Sequence, residues 1–331
     1  MKIIKILIIS LYLILYFTNL TLANNFEDWL NDFKIRALKE GISEKTFNLV
    51  MSDAQFLPKV IEYDRYQPEF YEDTITYISK RSNNKKVVKG LKLYKNNKNL
   101  INSIEEKFDI EKELLLSLMG IETNFGTYVG KMNIISCLAT LSYDQRRSEF
   151  FSKELITILK LVDSEIIDYK ILFGSWAGAF GNFQFMPSTI ENYAIDYNKN
   201  NVIELKSIED SFASAANYLS KMGWKKNEPC FVEVDLKKDI PEKFLNTSAQ
   251  KITNKKNFKF FKKYLNGFDE NINDNLISAV ITPDFEIIEN AKKLKPAYIV
   301  FSNYELILKW NRSLRFALAV CTLKEKFENE I

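Results

Sequence analysis

The chain of 331 residues contains no histidine. That absence removes the commonest general base, every Ser–His or Cys–His couple and every imidazole metal site. Any chemistry here falls to carboxylate, Lys, Tyr, Cys or a hard-metal site. Cysteine is scarce as well: Cys137, Cys230 and Cys321 match no metal-ligand spacing. A buried apolar position is the expectation for each, with a Cys230–Cys321 bridge as the alternative. In an oxidising compartment the odd count leaves at least one thiol unpaired. Strong net charge is also missing. The formal value is +3, and it falls to +1 once residues 1–23 and their two lysines are set aside. Nothing in that balance supports nucleic acid or an anionic membrane surface as a partner.

Hydrophobic residues make up 46% and charged residues 27%, the balance of a globular protein with a sizeable core. Aromatic content is 14%, dominated by Phe and Tyr. A Phe-rich core accounts for most of these rings, and some are candidates to line a groove and stack on flat or sugar-like ligands. The bias toward Lys, Asn and Ile runs through the whole chain and reads as genome composition.

Residues 1–23 have the pattern of a signal peptide: Lys2 and Lys5, an apolar stretch over 6–17, then Thr21-Leu22-Ala23 as a small-residue cleavage site. The stretch is short for a membrane span, and no cysteine lies near the cleavage point to carry a lipid. Residues 24–105 form an N-terminal α region, with Phe26, Trp29, Leu30 and Phe33 at helical spacing. The Lys- and Asn-rich tract 81–99 reads as a solvated helix face and turn. Residues 106–225, which hold most of the ten glycines, form a second helical block. Strand-like alternation begins at 231–236, and short β-like runs follow at 276–282 and 297–301. Residues 226–302 are therefore a small β-containing insert, and 303–331 return to helix. No βαβ order and no internal repeat is present, so the class is α+β, predominantly α.

One carboxyl stands out. Residues 111–122 form one predicted helix, with Leu115, Leu118 and Glu122 on one face and Asn124 and Gly126 as stop residues beyond it. Burial on an apolar face and the negative end of the helix dipole both disfavour ionisation of Glu122. A group so placed can hold a proton near neutral pH and deliver it to a leaving oxygen.

The surrounding blocks carry a resemblance. Glu122-Thr123-Asn124-Phe125-Gly126 resembles the E-S-x-F-G motif of lytic murein transglycosylases of the membrane-bound B family. Arg146-Arg147-Ser148-Glu149-Phe150-Phe151 resembles its R-R-x-E-(Y/F)-F element. The run from Gly174-Ser175-Trp176-Ala177-Gly178-Ala179-Phe180-Gly181 into Gln184-Phe185-Met186-Pro187-Ser188 is similar to its G-S-(Y/F)-A-G-A-M-G-x-x-Q-F-M-P-S signature. Ala216-Asn217-Tyr218-Leu219 with Gly223-Trp224, then Trp310-Asn311-Arg312-Ser313 with Phe316, and upstream Gln67-Pro68-Glu69-Phe70, follow in the family's order.

The resemblance implies a lysozyme-like helical core with an additional N-terminal α region and a small inserted β region. It implies cleavage of the β-1,4 bond between N-acetylmuramic acid and N-acetylglucosamine in peptidoglycan, with a 1,6-anhydro product. It assigns Glu122 as sole acid and base, and Ser175 as a hydrogen-bonding neighbour of Glu122 or substrate. Gln184, Phe185, Met186, Arg146, Arg147, Tyr218, Trp310, Asn311 and Phe316 become substrate-binding positions. Of the two arginines, Arg147 is favoured for the groove, because adjacent helical residues point apart. Trp310 and Phe316 stand where the family usually has Tyr; stacking survives both changes, and a phenol hydrogen bond at 316 is lost. The family can also carry an EF-hand-like calcium loop. Asp196, Asn198, Asn200 and the Val202 carbonyl alternate as such a loop requires, with Asp210 beyond. Amides replace two acids, Lys199 adds positive charge and Asn201 replaces the turn glycine, so a structural calcium ion would be held weakly, and no cofactor is required for the reaction. The implied setting is the periplasm of a Gram-negative bacterium. The implied partners are glycan strands and other cell-wall enzymes, met by a monomer. A muramidase that cuts the same bond with water and a non-catalytic peptidoglycan-binding protein are the alternatives.

Overall fold

The computed structural model describes residues 26–67 and 71–331. The 1–23 leader and most of the Gln67-Pro68-Glu69-Phe70 element lie outside the described residues.

The first helices are short and polar on one side: α1 (26–39), α2 (Glu44–Met51), α3 (Pro58–Arg65), α4 (Thr74–Arg81), α5 (Asn84–Asn96) and α6 (Lys98–Phe108). Next come α7 (Lys112–Thr123), α8 (Ile134–Tyr143), α9 (Ser148–Asp163), α10 (Pro187–Tyr193) and α11 (Ile208–Lys221). Two short strands, β1 (Met132–Asn133) and β2 (Phe173–Gly174), pair antiparallel between them. Small polar residues start many of these helices. Ser43, Asp73, Asn83, Asn133 and Ser207 each accept a backbone N–H of the first turn through the side chain.

After α11 the chain builds a sheet from β3 (Phe231–Glu233), β4 (Leu245–Asn246), β5 (Lys256–Asn257), β6 (Ile277–Ile281) and β7 (Tyr298–Val300), with the short α12 (Phe258–Phe261) inside it. The strand order is β3-β7-β6-β4, and β5 also pairs with β6. This unit has its own apolar cluster around Phe244, Phe258, Phe261, Val280, Ile299 and Phe301. Alternate residues of β7 divide between two cores: Tyr298 and Val300 face the helices, Ile299 the β cluster. The chain then returns as α13 (Ser302–Trp310) and α14 (Leu314–Glu328).

Helix α7 is central. Leu114 to Gly120 is buried all round, and α14, α5, α6 and α11 pack on it. Gly90 of α5 and Gly120 of α7 let the Phe125 ring in: a Cβ at Gly120 would lie 2.7 Å from that ring, and one at Gly90 2.9 Å. One expectation is corrected here. Cys230, just before β3, and Cys321 of α14 form a disulfide with Cα atoms 6.1 Å apart; the third thiol, Cys137, is buried and free. The bridge arises because α14 runs directly behind the sheet edge, a proximity that no local pattern announces. Among the described residues no helix is long and apolar enough to cross a membrane.

Candidate active site

Glu122 sits half-buried in the last turn of α7. The helix ends because Asn124, Phe125 and Gly126 all take left-handed backbone conformations, with φ of 49°, 58° and 75°. This turn folds the Phe125 ring back under α7, where it meets Phe327 edge-on. Thr123, beside Glu122, fixes the turn. Its hydroxyl bonds to the Asn182 carbonyl at 2.8 Å and accepts the Gly126 N–H at 3.0 Å. Asn182 is itself buried, and its amide donates to the Lys206 and Ser207 carbonyls and to Ser211 Oγ.

Two lysines of α5 bond backbone carbonyls on either side of Glu122 in the chain. Lys86 donates to the Gly120 carbonyl, and Lys89 donates to the Asn124 carbonyl at 2.7 Å and to Thr127 Oγ1. Cations at a helix C-terminus satisfy carbonyls that lack helical partners and oppose the negative end of the dipole. Burial, with Lys89 and Arg81 nearby, pushes the Lys86 ammonium down from 10.5 to about 8. The 81–99 tract is therefore not solely a solvated face: its i, i+3 lysines turn inward onto the end of α7.

Trp310 at the end of α13 donates its indole N–H to Glu122 Oε1 at 3.0 Å. Trp310 stacks at 5.0 Å and 32° on Tyr218, which lies 4.3 Å from Tyr193, and meets Phe185 edge-on. Burial and Tyr193 push the Tyr218 hydroxyl up to about 12, so it stays protonated at any physiological pH. Glu122 thus faces a wall of rings, one of which binds it directly.

The β1–β2 pairing brings the Gly174-Ser175-Trp176 segment alongside the chain that follows Glu122. Ser175 Oγ accepts the Ala179 N–H at 3.0 Å, so this hydroxyl braces its own loop, and the indole of Trp310 supplies the bond seen at Glu122. Gln184, at φ 51°, donates to the Val129 and Gly181 carbonyls and clips the two loops together. Met186 and Asn311 are half-buried around α10 and α13, whereas Phe185 and Phe316 are core residues only 3% exposed. The arginines differ from expectation in a definite way. Arg147 is the non-helical residue before α9, so the rule that neighbours diverge does not apply to the pair. Both Arg146 and Arg147 converge on Asp64 of α3, a 2% exposed carboxylate with no motif to mark it in the sequence. Each arginine side chain nonetheless keeps close to half of its surface open.

The candidate calcium loop is closed on itself. Asp196 accepts the backbone N–H groups of Asn200 and Asn201, and Asn198 Oδ1 and Asn200 Oδ1 accept those of Asn200 and Val202. The amide nitrogens of Asn198 and Asn200 point at Glu209 and Glu204. Asp210 is fully buried on the N–H groups of Tyr197 and Glu204. Asn201 does adopt the left-handed turn, at φ 67°. The inward oxygens of Asn198 and Asn200 are neutral amides, and Asp210 is spent on backbone N–H groups, so the donor set carries little negative charge and would hold calcium only weakly. Among the described residues no group of acidic or thiol side chains is arranged to hold a metal.

A mostly helical core, a helix-terminal carboxyl held by an indole, and a small β unit between the last two helical segments define the lysozyme-like class. The chain belongs to the transglycosylase SLT domain family, which it matches over residues 25–325. It is 36% identical over 143 residues to membrane-bound lytic murein transglycosylase B of Escherichia coli K12, a match covering 43% of this chain and 40% of that relative's length. Its fold is similar to that of SltB3 from Pseudomonas aeruginosa in complex with NAG-NAM-pentapeptide: TM-score 0.79, 29% identity, 92% of this chain and 79% of that one. The Escherichia coli lytic transglycosylase Slt35 in complex with calcium shares the fold at TM-score 0.74 and 24% identity, over 92% of this chain and 93% of that one.

Proposed function

We propose that this protein is a lytic transglycosylase of peptidoglycan, cutting the β-1,4 bond between N-acetylmuramic acid and N-acetylglucosamine with Glu122 as its single acid and base. The observation that carries this is the Trp310–Glu122 hydrogen bond inside a ring-lined site. An indole N–H can only donate. It therefore holds Oε1 as an acceptor in both protonation states, and the mobile proton resides on Oε2. In the first half of the reaction Oε2–H protonates the glycosidic oxygen, the C1–O bond breaks, and the N-acetylglucosamine alcohol leaves. In the second half the carboxylate takes the proton of the C6 hydroxyl as O6 bonds to C1. This closes the 1,6-anhydro ring and returns Glu122 to its acid form. A second carboxylate is not needed, because the nucleophile belongs to the same sugar and its proximity replaces an activated water.

Tyr193 and Trp310 offer flat apolar faces to sugar rings, and Tyr218, buried against both, supports them. Arg146 and Arg147, preset by Asp64, present guanidinium edges to carboxylates or amide oxygens of the substrate. The enzyme acts as an exported monomer in the periplasm of a Gram-negative bacterium, on glycan strands that other cell-wall enzymes also process. Mass spectrometry of digested sacculi tests the reading. Wild type is expected to release anhydro-muropeptides, each lighter by one water than its hydrated counterpart, and Glu122→Gln to release none above background. Wholly hydrated products would establish a muramidase instead, and equal release by both proteins would remove Glu122 from the chemistry.

A further inference from the structure

Strand β3 is the open edge of the five-stranded sheet, and its ladder partner is β7 alone. The register pairs Val232 with Ile299, while Phe301 donates to the Cys230 carbonyl at 2.8 Å and Val234 to the Ala297 carbonyl at 3.0 Å. Hydrogen bonding alternates along an antiparallel pair, so residues 230, 232 and 234 spend their backbone groups on β7. The N–H and C=O groups of Phe231 and Glu233 point the other way, and among the described residues none takes them up. An unpaired row of this kind is a template for another strand.

The edge does not face open solvent. A cleft of ≈ 730 Å³ runs beside residues 231–234, between the sheet and helices α4 and α14. That volume is in the range of sites that hold a ligand. Ile75, Ile78 and Phe268 line it, and Ile75 and Phe268 are large apolar residues left 67% and 40% exposed. The charged groups around it are mostly carboxylates: Glu233, Asp269 and Glu325. Two cations lie at the cleft itself, Lys326 in its lining and Lys262 over the Phe258 and Phe268 rings, and each already has a partner. Lys326 donates to the Ser82 carbonyl at 2.6 Å, and Lys262 pairs with Asp274 at 2.5 Å.

We propose that the free edge of β3 and the acidic cleft beside it take an extended peptide segment of another protein as an added strand, with apolar and basic side chains alternating along it. Main-chain bonds to Phe231 and Glu233 supply the pairing. Apolar side chains fill the space lined by Ile75 and Phe268, and Lys or Arg meets the three carboxylates. A second copy of this chain is the wrong occupant. Pairing β3 with β3 would bring two sets of the same carboxylates together, and like charges across a strand pair destabilise it.

The probe is a fluorescent eight-residue peptide alternating valine and lysine, titrated into the full chain by anisotropy and by amide chemical shifts. Binding is expected with Kd of about 10–100 μM at low salt, the strength of a short added strand. The largest shifts should fall at the Phe231 and Glu233 amides. A valine–glutamate peptide, a valine–lysine peptide broken by central proline, and the exposed-site variant Glu233→Lys should each bind at least about tenfold more weakly, because each removes charge complementarity or strand pairing. Equal binding of the proline-broken peptide would mean charge attraction only and overturn the proposal. So would shifts that avoid residues 231–234, or a chain that sediments as a dimer which Glu233→Lys dissociates.

Discussion

Glu122 and Trp310 lie 188 residues apart in sequence and 3.0 Å apart in space. The helical spacing of Leu115, Leu118 and Glu122 and the stop at Asn124 were enough to place the carboxyl at a helix end. Nothing local to Trp310 could show that its N–H, as well as its flat face, would matter. A Tyr in that place can donate or accept, so the indole restricts the carboxyl to one arrangement of its proton. A hydrogen bond to a charged group is worth about 1.5–3 kcal/mol, roughly a 10- to 150-fold change in rate if it is felt in the transition state. Trp310→Phe keeps the ring against Tyr218 and Phe185 and removes only the donor. Its kcat on purified glycan strands is expected to fall by about 10- to 100-fold with KM within about twofold. A rise in KM with kcat unchanged would show that Trp310 serves sugar stacking alone. The arginines teach the converse at the same scale. Their sequence element was legible, but their directions were set by Asp64 on a distant helix, and an α-helical rule applied to a non-helical residue pointed the wrong way.

At the scale of elements, α7 was readable because a helix that is apolar on every side and ends in Asn-Phe-Gly has few other solutions. The observed bounds, Lys112–Thr123, shift the predicted 111–122 by one residue. Strands β6 and β7 follow the predicted apolar runs closely and β3 covers the first half of the predicted 231–236, whereas β4 and β5 are two-residue ladders with no pattern long enough to detect. The missed feature is α5, whose composition concealed its inward face. Lys86 has a titration consequence there. Its folded-state value of about 8 lies below the ordinary 10.5, so between those pH values the unfolded chain binds more protons than the folded one. Stability from this group therefore rises with pH through that window, and the desolvation penalty is present in full below about pH 8. Thermal unfolding of wild type and Lys86→Met at pH 7 and near pH 10 isolates the effect, because other groups cancel in the difference. Wild type is expected to gain in Tm relative to the variant at the higher pH. A difference that does not change with pH would place Lys86 in water, away from the Gly120 carbonyl.

At the scale of the whole molecule, two of the ties between the β unit and the helices are long-range links that only the folded chain reveals. Asp284 accepts the Thr74 N–H and hydroxyl from α4 and pairs at 2.8 Å with the buried Arg315 of α14, joining three segments at one point. The second tie is Cys230–Cys321, which closes a loop with a sequence separation of 91 around the β unit and α13. Cross-linking a loop of that size lowers the entropy of the unfolded chain, an effect of about 4–5 kcal/mol in the chain-entropy model and more often 2–5 when measured. The folded state keeps its other ties when the bond is absent, so loss of the bridge should reduce stability without rearranging the site. Urea unfolding should show oxidised wild type more stable than Cys230→Ala by about 2–5 kcal/mol, and dithiothreitol should bring the two together. Cys137→Ala, which removes the buried free thiol, should keep its sensitivity to dithiothreitol. If reduction leaves the wild-type midpoint where it was, the bridge contributes nothing to stability, and the Asp284–Arg315 junction with the packing of Tyr298 and Val300 in the helical core holds the β unit unaided.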